Sequence, residues 1–138
     1  MTPQEITLVQ QSFKKVLPIK AAAAEMFYNR LFVLDPSLRE LFPTDMVEQG
    51  RKLMAMLATA VGGLHRLDEI VPAVQALGVR HRDYSVRPEH YKTVGEALIW
   101  TLAQGLGKDF SDEVKAAWVA AYTLLSSTMI QAATDKAA

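Results

Sequence analysis

Cysteine is absent from the 138 residues, which excludes disulfides, thiolate metal sites, CxxC redox chemistry and covalent haem attachment through CxxCH. Any cofactor must be held by other ligands. An excess of one charge is missing too: Lys+Arg and Asp+Glu are both 15, and no cluster of basic residues forms a nucleic-acid footprint. No uncharged apolar run is long enough to cross a bilayer. The start, MTPQEITLVQQSFKK, carries acid and amide residues where a secretory signal needs a basic start and a continuous apolar stretch. These absences predict a cytoplasmic protein with no nucleic-acid partner and no membrane insertion. No segment alternates with a period of two, so strands lack a signal. There is no glycine-rich phosphate loop, no HExxH or ExxH metal pair and no Gly-x-Ser-x-Gly nucleophile turn.

What is present divides into helices. Thr2-Pro3-Gln4-Glu5 is a capping box with proline at the first helical position, and Ile6, Val9, Phe13 and Val16 follow at helical spacing. That helix should stop before Pro18. A second, from about Ile19 to Leu34, carries Ala24, Phe27, Tyr28, Leu31 and Leu34 on one face and is ended by Asp35-Pro36. A short helical turn, PSLRELF, is expected next. Asp45 or its neighbourhood opens a long helix with Gln49, Leu53, Leu57, Ala60, Val61 and Leu64 in one stripe, ending near Gly62-Gly63. Asp68 is expected to cap a helix whose inner face is Ile70, Val74, Leu77 and His81. Pro88 starts another, past Val94, Leu98 and Thr101 to Gly105-Leu106-Gly107. Ser111-Asp112-Glu113 opens the last, with Val114, Trp118, Tyr122, Leu125 and Met129 inward. The sequence therefore predicts an all-α chain of about seven helices. No internal repeat, low-complexity tract or linker interrupts it, so residues 1–138 are expected to form a single domain.

Three of the apolar stripes contain a polar residue: His81 after Val74 and Leu77, Gln49 ahead of Leu53 and Leu57, and Tyr28 between Ala24 and Leu31. Burying such a group unpartnered costs roughly 1–3 kcal/mol, so protein, water or a ligand must satisfy each one. Singly, each has a plain explanation. An inward histidine is commonly a hydrogen-bonded core residue, a tyrosine sends its hydroxyl to a carbonyl, and a glutamine at a helix start faces solvent. His65, beside Arg66 at a helix end, reads as a solvated terminal residue.

Five segments, in order, carry a resemblance: MFYNRLF (Met26–Phe32), DPSLRELF (Asp35–Phe42), EQGRKLMAML (Glu48–Leu57), GVRHRDYSVRPEHYKTVG (Gly78–Gly95) and AAWVAAY (Ala116–Tyr122). From about Gln4 to Gln131 the chain resembles the single-domain bacterial globins related to the haem domain of flavohaemoglobins. The resemblance implies a globin fold, three helices on three around haem, with non-covalent haem b as cofactor. It makes His81 the proximal iron ligand and Phe42 the aromatic that wedges the haem. Tyr28, Gln49 and Leu53 become the distal pocket, Tyr91 the tyrosine beside the proximal histidine, and Val94 a residue lining the proximal side. Arg80 and Leu53 join the cofactor-binding set, and His90 is left without an iron-binding role.

The chemistry agrees, since a neutral imidazole is a good iron ligand and a single proximal histidine leaves the opposite axial position to a diatomic gas. Dioxygen held there draws partial negative charge, which a Tyr28 hydroxyl or Gln49 amide can stabilise by donating a hydrogen bond. Two departures from the family pattern stand out. The glutamate of peroxidase-like members, eleven residues after the tyrosine that Tyr122 matches, is here Ala133, and Asp135 is the neighbouring carboxylate. The chain also ends at Ala138, where flavohaemoglobins continue, so an external reductase is expected. The expected function is reversible binding of dioxygen, nitric oxide and carbon monoxide. The alternative is a nitric oxide dioxygenase served by that reductase, the third a gas sensor acting through a protein partner, and the plainest a helical domain with no cofactor.

Overall fold

The computed structural model describes residues 1–42, 45–83 and 86–137, without the side chains of 83 and 135–137. Among them are six α-helices and four 3₁₀ turns: α1 (Pro3–Val16), α2 (Lys20–Leu34), α3 (Met46–Gly62), α4 (Leu67–Asp83), α5 (Pro88–Leu106) and α6 (Asp112–Ala137), with 3₁₀ turns at Leu17–Ile19, Pro36–Leu41, Leu64–Arg66 and Gly107–Asp109. The chain is all-α as the sequence predicts. The short PSLRELF element is one of the 3₁₀ turns.

Local chemistry sets most of the boundaries. The Thr2 hydroxyl accepts from the Glu5 N–H at 3.1 Å while the Glu5 carboxylate accepts from the Thr2 N–H at 2.9 Å, so the capping box closes α1 in both directions. Asp35 ends α2 in an extended conformation and takes the N–H and hydroxyl of Ser37 on its carboxylate. The Asp45 carboxylate accepts from the Glu48 N–H at 3.0 Å and opens α3. The Ser111 hydroxyl does the same for Val114 at the head of α6. Asp68 is a correction: it does not cap α4. The 3₁₀ turn Leu64–Arg66 passes directly into helix at Leu67, whose backbone is already helical (φ −54°, ψ −37°), so no extended residue remains to serve as a cap. Asp68 and Glu69 instead lie in the first turn, where carboxylates suit the positive end of the helix dipole.

The helices pack as two layers, α1, α3 and α4 against α2, α5 and α6. The main crossings are α4 on α6, α1 on α6 and α3 on α2, with α2 and α5 side by side. Two glycines lie at close helix crossings. A Cβ on Gly78 of α4 would lie 2.3 Å from the Met129 carbonyl oxygen of α6, and one on Gly50 of α3 would lie 2.9 Å from the Ala24 Cβ of α2. At those points backbone meets backbone or methyl.

Apolar side chains collect in two clusters. The larger joins α1, α2, α3, α5 and α6 through residues such as Val9, Phe13, Leu31, Leu64, Leu102 and Trp118. Within it the Trp118 indole N–H donates to the Ser12 hydroxyl at 2.8 Å, and Ser12 donates to the Leu8 carbonyl, so neither buried polar group is orphaned. The smaller cluster, Ile70, Val74, Tyr91 and Met129, lies under α4. Helices α3 and α4 are joined only through the 3₁₀ turn Leu64–Arg66 and make at most peripheral contact.

The Gly78 crossing sets a measurable expectation. Gly78→Ala must push α4 off α6 and should lower stability by about 1–3 kcal/mol. Gly62→Ala, where an added Cβ meets nothing within 4 Å, should raise it by up to about 1 kcal/mol. Urea unfolding of the two variants checks this, and equal midpoints would show that the crossing imposes no constraint.

Candidate functional site

The polar residues found on the apolar stripes lie on α2, α3 and α4. Tyr28 is in mid-α2 and only 6% exposed, Gln49 and Leu53 are half-buried one turn apart on α3, and His81 is half-buried in the last turn of α4. Tyr28, Leu53, Phe42 and Val94 belong to the larger apolar cluster, whereas Tyr91 and Leu77, whose carbonyl His81 contacts, belong to the smaller. The residues named from the sequence thus split between the two clusters.

On the α2–α3 side the aromatic rings fix one another. Tyr28 meets Phe27 edge-on at 4.9 Å and Phe42 edge-on at 5.3 Å, and it stacks on Phe32 at 6.1 Å; Phe32 in turn meets Phe42 at 5.7 Å. The Gln49 amide donates to the Tyr28 hydroxyl oxygen at 3.4 Å, a long bond. Tyr28 is therefore an acceptor toward Gln49, and its own O–H proton has no acceptor among the described residues. Burial pushes the Tyr28 pKa up, the Gln49 bond offsetting part of this, so the hydroxyl keeps its proton at neutral pH. The close crossing at Gly50 sets Gln49 and Leu53 against this ring cluster. An apolar cavity of about 20 Å³ lies beside it, bordered by Phe27, Leu53, Leu57, Leu98 and Trp118.

On the α4 side, His81 Nδ1 lies 2.8 Å from the Leu77 carbonyl, which can only accept, so Nδ1 carries the proton. The Nε2 lone pair is then free, with no partner among the described residues. Burial lowers the His81 pKa, the Leu77 carbonyl opposes that, and the Arg80 charge lowers it further. The imidazole is neutral and basic at one nitrogen, the form a metal requires. No three His, Cys, Asp or Glu side chains converge among the described residues, so a metal at His81 must bring its other ligands with it. Arg80 is exposed beside the histidine. The Tyr91 ring lies 6.4 Å from the imidazole at 33°.

The structure gives the other histidines different work. His90 Nδ1 accepts from the Arg87 N–H at 3.0 Å, at the head of α5. His65 is exposed and lies 3.3 Å from the Gln10 amide.

Four contributors were not assigned from the sequence. Phe32 completes the ring cluster, and its i+4 spacing from Tyr28 was a usable signal. The Leu77 carbonyl, which fixes the His81 tautomer, also lies one turn away. Tyr122 donates to the Tyr91 carbonyl at 2.5 Å, its ring against Gly95, where a Cβ would come within 2.7 Å. Arg82 donates to the Ala133 carbonyl at 3.0 Å. The last two pairs are far apart in sequence and leave no local signal. Asp135 has its side chain outside the described residues.

Comparison with known proteins gives a consistent set of matches. The globin family model matches residues 25–129. A flavohemoprotein of Halalkalibacterium halodurans is 33% identical over 129 residues, covering 88% of this chain and 31% of its own length. One of Vibrio cholerae is 27% identical over 133 residues, covering 94% and 34% respectively. The chain thus spans about a third of the length of these curated relatives. The crystal structure of a hexacoordinated heme protein from an anhydrobiotic tardigrade superposes with a TM-score of 0.88 at 12% identity, over 97% of this chain and 96% of that one.

If the Tyr28 hydroxyl is not used for folding, its removal should barely affect stability. Tyr28→Phe is expected to change unfolding free energy by less than about 1 kcal/mol, whereas Leu31→Ala, at a fully buried neighbour, should cost about 2–5 kcal/mol. Denaturant unfolding checks both, and a loss at Tyr28→Phe as large as at Leu31→Ala would make the hydroxyl structural.

Proposed function

The chain belongs to the globin family, and from that premise we propose that it holds non-covalent haem b and reversibly binds dioxygen and other diatomic gases. The observation that carries this reading is a pair of unspent valences, the free Nε2 of His81 on α4 and the O–H proton of Tyr28 on α2. When bound, haem supplies the iron at which a gas is taken up.

His81 would hold the iron through Nε2, while the Leu77 carbonyl fixes its tautomer and ring orientation. Phe42, Leu53 and Val94 offer apolar contact to the cofactor. Exposed Arg80 offers a cation to its acidic edge. Tyr28 would donate a hydrogen bond to a gas that gathers negative charge, keeping its proton, and Gln49 would act through Tyr28 by holding the phenol oxygen. Tyr91 steadies the imidazole from the side, and Tyr122 anchors Tyr91 through its carbonyl. At Ala133 the Arg82 guanidinium meets a carbonyl, and this position supplies no carboxylate to raise the basicity of His81. That supports gas binding over peroxidase chemistry. An external reductase is the proposed electron source, and sustained nitrate formation from nitric oxide and dioxygen with such a reductase would move the reading to a dioxygenase.

Two variants test the proposal. His81→Ala should lose haem or keep it only with added imidazole; a normal ferrous carbon monoxide spectrum without imidazole would overturn the assignment. A hydrogen bond to a partly charged acceptor contributes roughly 1.5–3 kcal/mol, so Tyr28→Phe should speed dioxygen release by about ten- to a hundredfold and leave carbon monoxide release almost unchanged. Gln49→Leu should have the smaller effect. Stopped-flow dissociation reads both, and a larger effect at Gln49 would make the amide the donor.

A further inference from the structure

A second concavity is bordered by neither His81 nor Tyr28, although Tyr91 and Tyr122 line its floor beside α5 and α6. It is a groove of about 800 Å³ between α2, α5 and α6, within the usual size range of small-molecule sites. It follows α5 from Pro88 to Ala103, about 22 Å at 1.5 Å per residue. Ile99, Phe110 and Ile130 are among its walls, and Leu34 and Val119, 37% and 45% exposed, open onto it. Three cations border it, Arg30, Lys92 and Lys115, against one anion, Glu96. None of the four belongs to an ion pair among the described residues. The Arg30 guanidinium lies over the Trp100 ring at 4.9 Å, and its Nε is buried without a hydrogen-bond partner.

The half-buried Arg30 guanidinium borders the groove with no ion pair among the described residues, and a cation in partly apolar surroundings calls for an anionic acceptor. A carboxylate supplies it best, since a guanidinium pairs with it in two parallel bonds. The long apolar walls call for a linear body behind that carboxylate. A second copy of the chain would bring the same surplus of cations against this one. We propose that the α2–α5–α6 groove binds a free linear-chain carboxylate, its head at Arg30 and its alkyl chain along α5. Lys92 and Lys115 add a favourable field at the two ends, and Trp100 holds the guanidinium in place.

The test is equilibrium dialysis of labelled dodecanoate, below its micellar concentration, against the haem-loaded protein saturated with carbon monoxide. One saturable equivalent is expected, with dodecanol and dodecylammonium binding at least tenfold more weakly. Arg30→Gln should weaken dodecanoate binding at least tenfold, and so should Val119→Glu, which sets a carboxylate on the wall at a partly exposed position where folding is not at risk. Unchanged haem spectra on dodecanoate addition are part of the expectation and separate this site from the haem reading. The proposal is overturned if dodecanol binds as well as dodecanoate, or if both variants bind normally. It is equally overturned if dodecanoate shifts the haem spectrum in proportion to its binding, or if the protein takes up anionic vesicles but not monomeric dodecanoate.

Discussion

The contact on which the rest of the arrangement depends is the crossing of α4 over α6 at Gly78. With no side chain there, α4 lies on the backbone of Met129, and its last turn is carried close enough for Arg82 to reach the Ala133 carbonyl. His81 lies between these two anchors, three residues past one and one before the other. Its position is therefore held by contacts to α6, and the small apolar cluster of Ile70, Val74, Tyr91 and Met129 fills the space beneath. Because α4 is anchored to α6, it has little to share with α3.

The two sides of the division are built differently. On the α2 side an edge-to-face cluster of Phe27, Tyr28, Phe32 and Phe42 fixes the phenol in position, and Gln49 holds its oxygen while leaving the proton unspent. A buried donor with no acceptor costs folding roughly 1–3 kcal/mol. On the α4 side the hydrogen bonding is complete at Nδ1 and open at Nε2. Both are polar groups with one valence unpaired among the described residues, in largely apolar surroundings.

The same reasoning applies to the outer groove. Net charge is zero over the chain, yet three cations and one anion border that concavity. Electrical neutrality of a sequence says nothing about its local balance. Stacking on Trp100 holds one of those cations with a donor buried, and the surrounding walls reduce the solvation that would otherwise satisfy it.

Much of the fold was legible in the sequence, because its signals are local. Thr2, Asp45 and Ser111 bond to N–H groups three residues away, Pro18 and Pro36 stand two residues past the ends of α1 and α2, each in a 3₁₀ turn, and helical periodicity turns Val9, Phe27, Leu31 and Trp118 inward. The one misplaced cap, Asp68, was lost because a 3₁₀ turn joined α4 without a break, a backbone choice that no side chain there announces. The identity of the site residues was legible as well: a histidine, a tyrosine and a glutamine on apolar faces, in an order resembling a known family. Their wiring was not. That Gln49 gives its hydrogen to Tyr28, that Arg82 meets Ala133, that Tyr122 donates to Tyr91, and that Arg30 lies over Trp100 are facts about pairs distant in the chain. Sequence determined which groups each helix could present. Only the packing of helices across two layers decided which of them met, because partners far apart in the chain are brought together by the close approach of backbones at Gly50 and Gly78, and helical periodicity carries no information about that distance.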